Sequence, residues 1–151
     1  MRCLGVVIAL LALAAAAPEV DTDVSRLVDG FFSLFVWPCD KWVSLFAPNA
    51  SFSHPKFPRG VRGATQLAAF CATAQSAARQ QLFRADGLAR ITQTDTAVHV
   101  LVPYVWSAQL SGPDAAPFVN SGWEALMLAA APQGLAIAAV TEFFNSNRTQ
   151  L

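Results

Sequence analysis

Halfway along the chain the spacing of apolar residues changes, and this limits the possible folds more than any other feature. In the first half, Val24, Leu27, Val28, Phe31, Leu34 and Phe35 recur at three- and four-residue intervals, the signature of one helical face. Asp21, Thr22 and Asp23 offer capping oxygens and negative charge where that helix should begin. It ends at Trp37-Pro38, and Asp40 is placed to cap a short second helix with Trp42, Leu45 and Phe46 on one side. Ala50 to Ser53 reads as a strand. The stretch from His54 to Gly63, with Pro55, Pro58 and two glycines, reads as a mobile lip. Thr65 can cap a third helix whose inner face carries Leu67, Phe70, Cys71, Ala74 and Ala78.

The second half alternates. Gln81 to Thr92, Thr96 to Leu110, Phe118 to Ala130 and Leu135 to Phe144 have the period and the valine and aromatic content of four strands. Turn residues separate them at Gln93-Thr94-Asp95, Ser111-Gly112-Pro113-Asp114 and Pro132-Gln133-Gly134. Helices first and an antiparallel meander second predict an α+β domain. At 151 residues the chain suits one domain with a substantial core. Hydrophobic residues make up 54% and charged residues 13%, so apolar area must spill into an internal cavity, a self-association face, or both. Net charge is +0 and no Lys/Arg cluster exists, which argues against a nucleic-acid partner.

Residues 1–16 read as a secretory signal peptide: Arg2 is followed by an apolar run from Leu4 that closes on Ala14, Ala15, Ala16 and Ala17. The run is short of the ~20 residues a membrane span needs, although an uncleaved anchor is the competing reading. The predicted domain covers residues 20–146, with a polar tail at 147–151. No later stretch is apolar enough to cross a bilayer, so no stable membrane span is expected after cleavage, and the protein is expected outside the cell or in the secretory lumen. Cys39 and Cys71 would then pair, closing a loop of about thirty residues; a catalytic thiol is the alternative. Asn49-Ala50-Ser51 and Asn147-Arg148-Thr149 fit the N-glycosylation pattern, with Asn147 in the polar tail the better acceptor.

Two motifs carry a resemblance. One is Trp42-x-x-x-Phe46-x-Pro48-x-Ala50, leading through Gly60 and Gly63 to a helix with Phe70. The other is the terminal Gly134-Leu135-x-Ile137-x-x-x-x-Glu142-Phe143-Phe144-Asn145. With the elements in this order, nearly the whole mature chain resembles the nuclear transport factor 2-like superfamily, its SnoaL-like branch in particular. The resemblance implies a cone-shaped α+β barrel, three N-terminal helices packed on a strongly curved, mostly antiparallel sheet. The superfamily holds ketosteroid isomerases, polyketide cyclases, dehydratases and epoxide hydrolases as well as non-catalytic binding domains, so fold alone selects no function.

Enzymes of this shape place a carboxylate or histidine in a dry cone, where desolvation shifts its pKa, and steady the developing oxyanion with a nearby donor. Glu142 shares parity with Val140 and Phe144 and would be a buried carboxylate if that face points inward; Arg84 or Arg90 pairing with it in a structural ion pair is the plainer reading. Glu124, beside Trp123, is its rival. His99 lies among valines and leucines, as a base or as a hydrogen-bonded core histidine. His54 stands where it could guard the pocket mouth. Tyr104 and Trp106 share a face opposite His99, unless Pro103 bulges the strand, and at least one of them is expected at a dimer face.

The chemistry expected is therefore binding of a small hydrophobic molecule by a secreted homodimer. Proton transfer of the isomerase, cyclase or dehydratase kind would be superimposed, with Glu142 or His99 as base and Trp42, His54, Tyr104, Trp106, Trp123 and Phe144 around the ligand. A non-catalytic extracellular interaction protein with a vestigial cavity is the alternative. The histidines and acids lack metal-ligand spacing and no phosphate-binding glycine motif is present, so neither metal nor cofactor is expected.

Overall fold

The computed structural model describes residues 17–55, 57–112, 117–144 and 149–150. The predicted signal peptide and the Asn147 sequon lie outside them, and Asn49 is exposed. Helix α1 (Ala17–Leu34) is followed by α2 (Cys39–Val43), strands β1 (Phe46–His54) and β2 (Phe57–Arg62), and helix α3 (Gly63–Ala77). The rest is sheet: β3 (Ala78–Ala85), β4 (Arg90–Gln93), β5 (Val98–Leu110), β6 (Pro117–Ala131), β7 (Gly134–Phe144) and β8 (Thr149–Gln150). All eight strands form one sheet in the order β2-β1-β7-β6-β5-β3, with β4 paired to β5 and β8 to β6. Among the described residues, only β1 and β7 run parallel.

The α+β class holds, but the sheet dominates. Of the three expected N-terminal helices, α2 has only five residues and α3 comes after two strands. Helix α1 already includes the residues ahead of the predicted cap. Asp23, expected as part of that cap, lies inside the helix instead. There its Oδ2 accepts the Leu135 N–H at 3.3 Å and its Oδ1 pairs with Arg26. This fastens α1 to the β6–β7 turn. Gly134 makes the approach possible: at φ +111° a Cβ would stand 2.5 Å from Asp23 Oδ2.

The stretch predicted as a mobile lip is mostly strand. β2 folds back on β1, pairing Ser51 with Arg62 and Phe52 with Val61, and so covers what would be an open edge of β1. The predicted strand at 81–92 divides into β3 and β4 around Gly87, whose φ is +146°. Pro103 does not bulge β5: its register with β6 is unbroken from Val98↔Leu128 to Gln109↔Pro117.

The core lies between the helices and one face of the sheet. α1 contributes Val24, Leu27, Val28, Phe31, Phe32 and Phe35, and β5 contributes Val98, Val100, Val102 and Tyr104. Trp42 is fully buried at the centre, its ring centroid 4.6 Å from that of Phe46 and 5.2 Å from that of Phe35. Its Nε1–H donates to the Phe31 carbonyl at 3.0 Å, so the indole satisfies a helix carbonyl while filling the core. Trp42, expected at a ligand, packs here against Phe31, Phe35 and Phe46.

On β7 the register with β6 shifts between Met127 and Leu128, so that Met127 faces Ala139 and Leu128 faces Ile137. The extra residue changes the parity of the strand. Ile137 before it and Val140 and Glu142 after it therefore all turn inward.

Cys39 and Cys71 are joined in a disulfide, tying α2 to α3 across a sequence separation of 32. Removing it with Cys39→Ser and Cys71→Ser should cost about 3–4 kcal/mol by loop-closure entropy. Urea unfolding of the double variant would show this as a lower midpoint, and an unchanged midpoint would contradict it.

Candidate functional site

Three strands deliver the polar side chains of the interior. His54 is the last residue of β1, held extended by the following Pro55. Its ring stacks on Phe52 and meets Phe144 edge-on at 5.0 Å. Tyr104 lies midway along β5 on the inward face with the valines and is 1% exposed. Glu142 comes from β7 on the inward side of the register shift and is 8% exposed.

These three meet. The Tyr104 hydroxyl donates to Glu142 Oε1 at 2.5 Å, and His54 Nε2 stands 3.2 Å from Glu142 Oε2. With Glu142 as a carboxylate, His54 Nε2–H is the donor, so the tautomer is assigned by the bond it makes. Burial, the Glu142 charge and the hydrogen bond to it all push the Tyr104 hydroxyl well above its ordinary pKa of 10.0. Tyr104 therefore stays protonated and acts only as a donor or as a proton-bearing acid.

Glu124 is the fourth member. It sits on β6 directly opposite Glu142 on one side and Val102 on the other, and is fully buried. Neither carboxyl oxygen has a hydrogen-bond partner. Cross-strand neighbours of like charge repel, and a dry site cannot hold two carboxylates side by side. Burial first, and the Glu142 charge second, raise the Glu124 pKa far above its ordinary 4.5, so it holds its proton. The pair therefore divides into a bonded carboxylate and a neutral acid.

The remaining predicted residues are placed as follows. Trp106 is on the inward face of β5, half-buried, with Phe118 edge-on at 5.0 Å and its Nε1 buried without a partner. Both Tyr104 and Trp106 thus lie on the inward face of β5, where at least one of them was expected at a dimer face. His99 is exposed on the opposite face of β5, between Thr92 and Met127, and does not share the cluster. Trp123 also points to the outer face, under the Arg90 guanidinium at 5.8 Å. Phe144 caps His54. Arg84 pairs with Asp86 at 3.0 Å, so neither arginine considered as a structural partner for Glu142 reaches it.

Sequence reasoning missed the His54–Glu142 pairing. The parallel contact of β1 with β7, which sets Ser53 beside Thr141, is long-range and leaves no local trace. Glu124 had a visible signal in its parity with Leu126 and Leu128, both fully buried.

Among the described residues no group of three or more His, Cys, Asp and Glu could hold a metal ion. An open groove of about 510 Å³ lies elsewhere, lined by Val36, Trp37, Gln75, Ala78, Gln80 and Gln81. None of the four interior residues borders it.

No protein-family model matches the chain, and no curated protein matches it. Solved structures do. A nuclear transport factor 2-like superfamily protein from Salmonella enterica serovar Typhimurium superposes with a TM-score of 0.76 at 19% identity, covering 87% of this chain and 95% of that one. A provisional scytalone dehydratase from Novosphingobium aromaticivorans gives 0.73 at 10% identity, covering 86% of each chain. A type 2 hexachlorocyclohexane dehydrochlorinase gives 0.68 at 10%, covering 93% and 90%. The chain has the nuclear transport factor 2-like fold, and at these identities the likeness is one of fold.

A neutral buried acid makes stability pH-dependent with a definite sign. The unfolded chain ionises Glu124 near 4.5 while the folded chain keeps the proton, so this contribution weakens the fold as pH rises above that value. Glu124→Gln cannot ionise and should flatten the loss. Thermal melts at pH 5 and pH 8 should show a larger fall in Tm for the wild type than for the variant; parallel falls would contradict the assignment.

Proposed function

We propose that the protein binds a small hydrophobic molecule against the inner face of its sheet and moves a proton on it, with Glu142 as the base. One observation carries this reading: a carboxylate within an apolar interior, bonded at one oxygen by a tyrosine hydroxyl and at the other by a histidine. The names of two similar structures, a dehydratase and a dehydrochlorinase, support an elimination or a related proton transfer.

The chemistry follows from the donors. Glu142 takes a proton from carbon next to a carbonyl, the C–H electron pair moves into the carbonyl, and Tyr104 turns its one O–H from the now neutral Glu142 to the enolate oxygen. The proton then returns to another carbon, giving an isomer, or goes to a departing hydroxyl, giving an alkene and water. His54 keeps the carboxylate oriented and charged. The apolar wall of Phe52, Phe70 and Phe144 keeps water away, which strengthens each of these interactions.

A second reading has its own support. The interior is densely packed with aromatic rings, and the open groove lies away from the acids. This favours an interaction protein with a closed, vestigial cavity.

Secretion, with residues 1–16 removed and residues 20–146 as the domain, fits the Cys39–Cys71 bond. No helix among the described residues is long and apolar enough to cross a membrane. Self-association through the outer sheet face fits the exposure there of Phe143 at 52%. Sedimentation equilibrium reporting a single-chain mass would remove the dimer.

The test of the proton transfer is solvent-deuterium incorporation into a panel of hydrophobic ketones, followed by NMR. Glu142→Gln should slow exchange by about 10²–10⁴-fold, and Tyr104→Phe by about 10²-fold, with the fold retained by circular dichroism. Exchange at the wild-type rate in Glu142→Gln takes that residue out of the mechanism.

A further inference from the structure

The open groove lies apart from His54, Tyr104, Glu124 and Glu142, and its lining has a character of its own. Val36 and Trp37 come from the α1–α2 connection, Gln75 from α3, and Ala78, Gln80 and Gln81 from the start of β3. Three amides and an indole thus share a cleft of about 510 Å³, inside the range of about 300–1,000 Å³ typical of small-ligand sites. None of the six lining residues carries a charge.

Two devices hold these side chains in place. The first is a clamp on the α1–α2 connection. Gln75 Nε2 donates to the Phe35 carbonyl at 2.7 Å and to the Trp37 carbonyl at 2.6 Å, and the Cys39–Cys71 disulfide ties the same two segments. Trp37 is therefore anchored by its backbone although the residue is 63% exposed. Both N–H groups of Gln75 are engaged by carbonyls, so what it has left to offer a ligand is the acceptor Oε1.

The second device is a bulge. The register between β3 and β5 shifts between Arg79 and Leu82, opposite Gln109 and Ser107, so β3 carries one residue more than β5 there. Gln80 sits in that bulge at φ +50°, a left-handed conformation uncommon for any residue with a side chain. Consecutive residues of a regular strand point to opposite faces, yet Gln80 and Gln81 both line the groove. Gln81 spends its Nε2 on the Ala74 and Ala78 carbonyls, which joins the end of α3 to β3. Gln80 is exposed and brings an amide that both donates and accepts. Blunting the edge of β3 would need only the bulge, and a glycine would hold it without strain. An amide at this point calls for another reason.

We propose that the groove binds a neutral pyranose sugar, its ring stacked on the Trp37 indole and its hydroxyls bonded to Gln75 Oε1 and the Gln80 amide. A pyranose has an apolar C–H face and a rim of hydroxyls, each able to donate and accept. An aromatic face suits the first and fixed amides suit the second. A carboxylated or sulfated sugar would find no lysine or arginine in the lining, and an amino sugar no carboxylate. A wholly apolar ligand would take water from the amides and give nothing back. Because the groove is open, one unit of a longer glycan fits in it while its neighbours stay outside. The proposal depends on neither reading of the interior.

The test is calorimetric titration of the disulfide-bonded protein with cellotetraose, laminaritetraose, maltotetraose and mannotetraose. Tetragalacturonate, the chitosan tetramer and a blocked neutral hexapeptide are titrated beside them. At least one neutral tetrasaccharide should bind with a Kd below about 1 mM, and it should shield Trp37 from acrylamide quenching. Trp37→Ala should weaken that sugar about tenfold or more. Gln80→Gly relieves the left-handed strain, so it should keep or raise Tm while weakening the sugar about threefold or more. A purely structural Gln80 would leave the affinity unchanged. If a variant fails to fold, the wild-type titrations and the quenching decide the matter. No binding of any neutral tetrasaccharide at about 10 mM overturns the site. So does a charged oligosaccharide or the hexapeptide binding more tightly than all four, or an affinity unmoved in both variants.

Discussion

Everything in this fold leans on one indole. Trp42 lies where α1, α2, β1 and α3 converge, and its N–H is spent on the Phe31 carbonyl. A tryptophan buried without that bond would carry a desolvated donor; with it, the ring becomes a fixed wedge. Phe35, Phe46, Phe52 and Phe70 pack around it, and the disulfide holds the two helices that flank it. The helices are thereby set at a fixed height over the sheet, and the inward residues of β5, β6 and β7 meet aromatic rings instead of solvent. The low dielectric in which the acids sit is a product of this packing.

That environment sorts the ionisable groups. In water Glu124 and Glu142 would be equivalent carboxylates. Inside, the one bonded by Tyr104 and His54 keeps its charge, and the one with no donor keeps its proton. Two side chains of the same kind, facing each other across one strand pair, are made into a base and an acid by burial, by their mutual repulsion and by hydrogen bonds that only one of them receives. The lone tyrosine of the chain stands at the boundary between them.

The legibility of the chain follows the range of the forces involved. Helical spacing in α1, alternation in β5 to β7, and the pairing of Cys39 with Cys71 were readable because each depends on local pattern or on a simple count. Glu142 was readable as a buried acid from its apolar parity, and Tyr104 from its place among the valines. The partner of Glu142 was not, because His54 reaches it through a parallel contact between β1 and β7, more than eighty positions apart in the chain. His99 was misleading for a related reason. A strand that is apolar on both sides hides which face is inner, and only the unbroken pairing with β6 puts His99 outside. β2 escaped notice because Pro58 and Gly60 stand among its six residues; an otherwise uncovered edge imposes the strand on it.

The irregular step on β7 has a consequence for how such domains diverge. Strict alternation from Ile137 would send Phe143 inward and turn Glu142 to the outside, leaving His54 and Tyr104 with nothing to hold. Deleting a residue at the step itself would only straighten the strand and keep Glu142 inside, whereas deleting Thr141 just beyond it would turn Glu142 outward and strip out the reactive centre in a single event. Within a lineage, reagent and inert shell are thus separated by a codon, a far shorter evolutionary distance than the loss of four side chains one at a time.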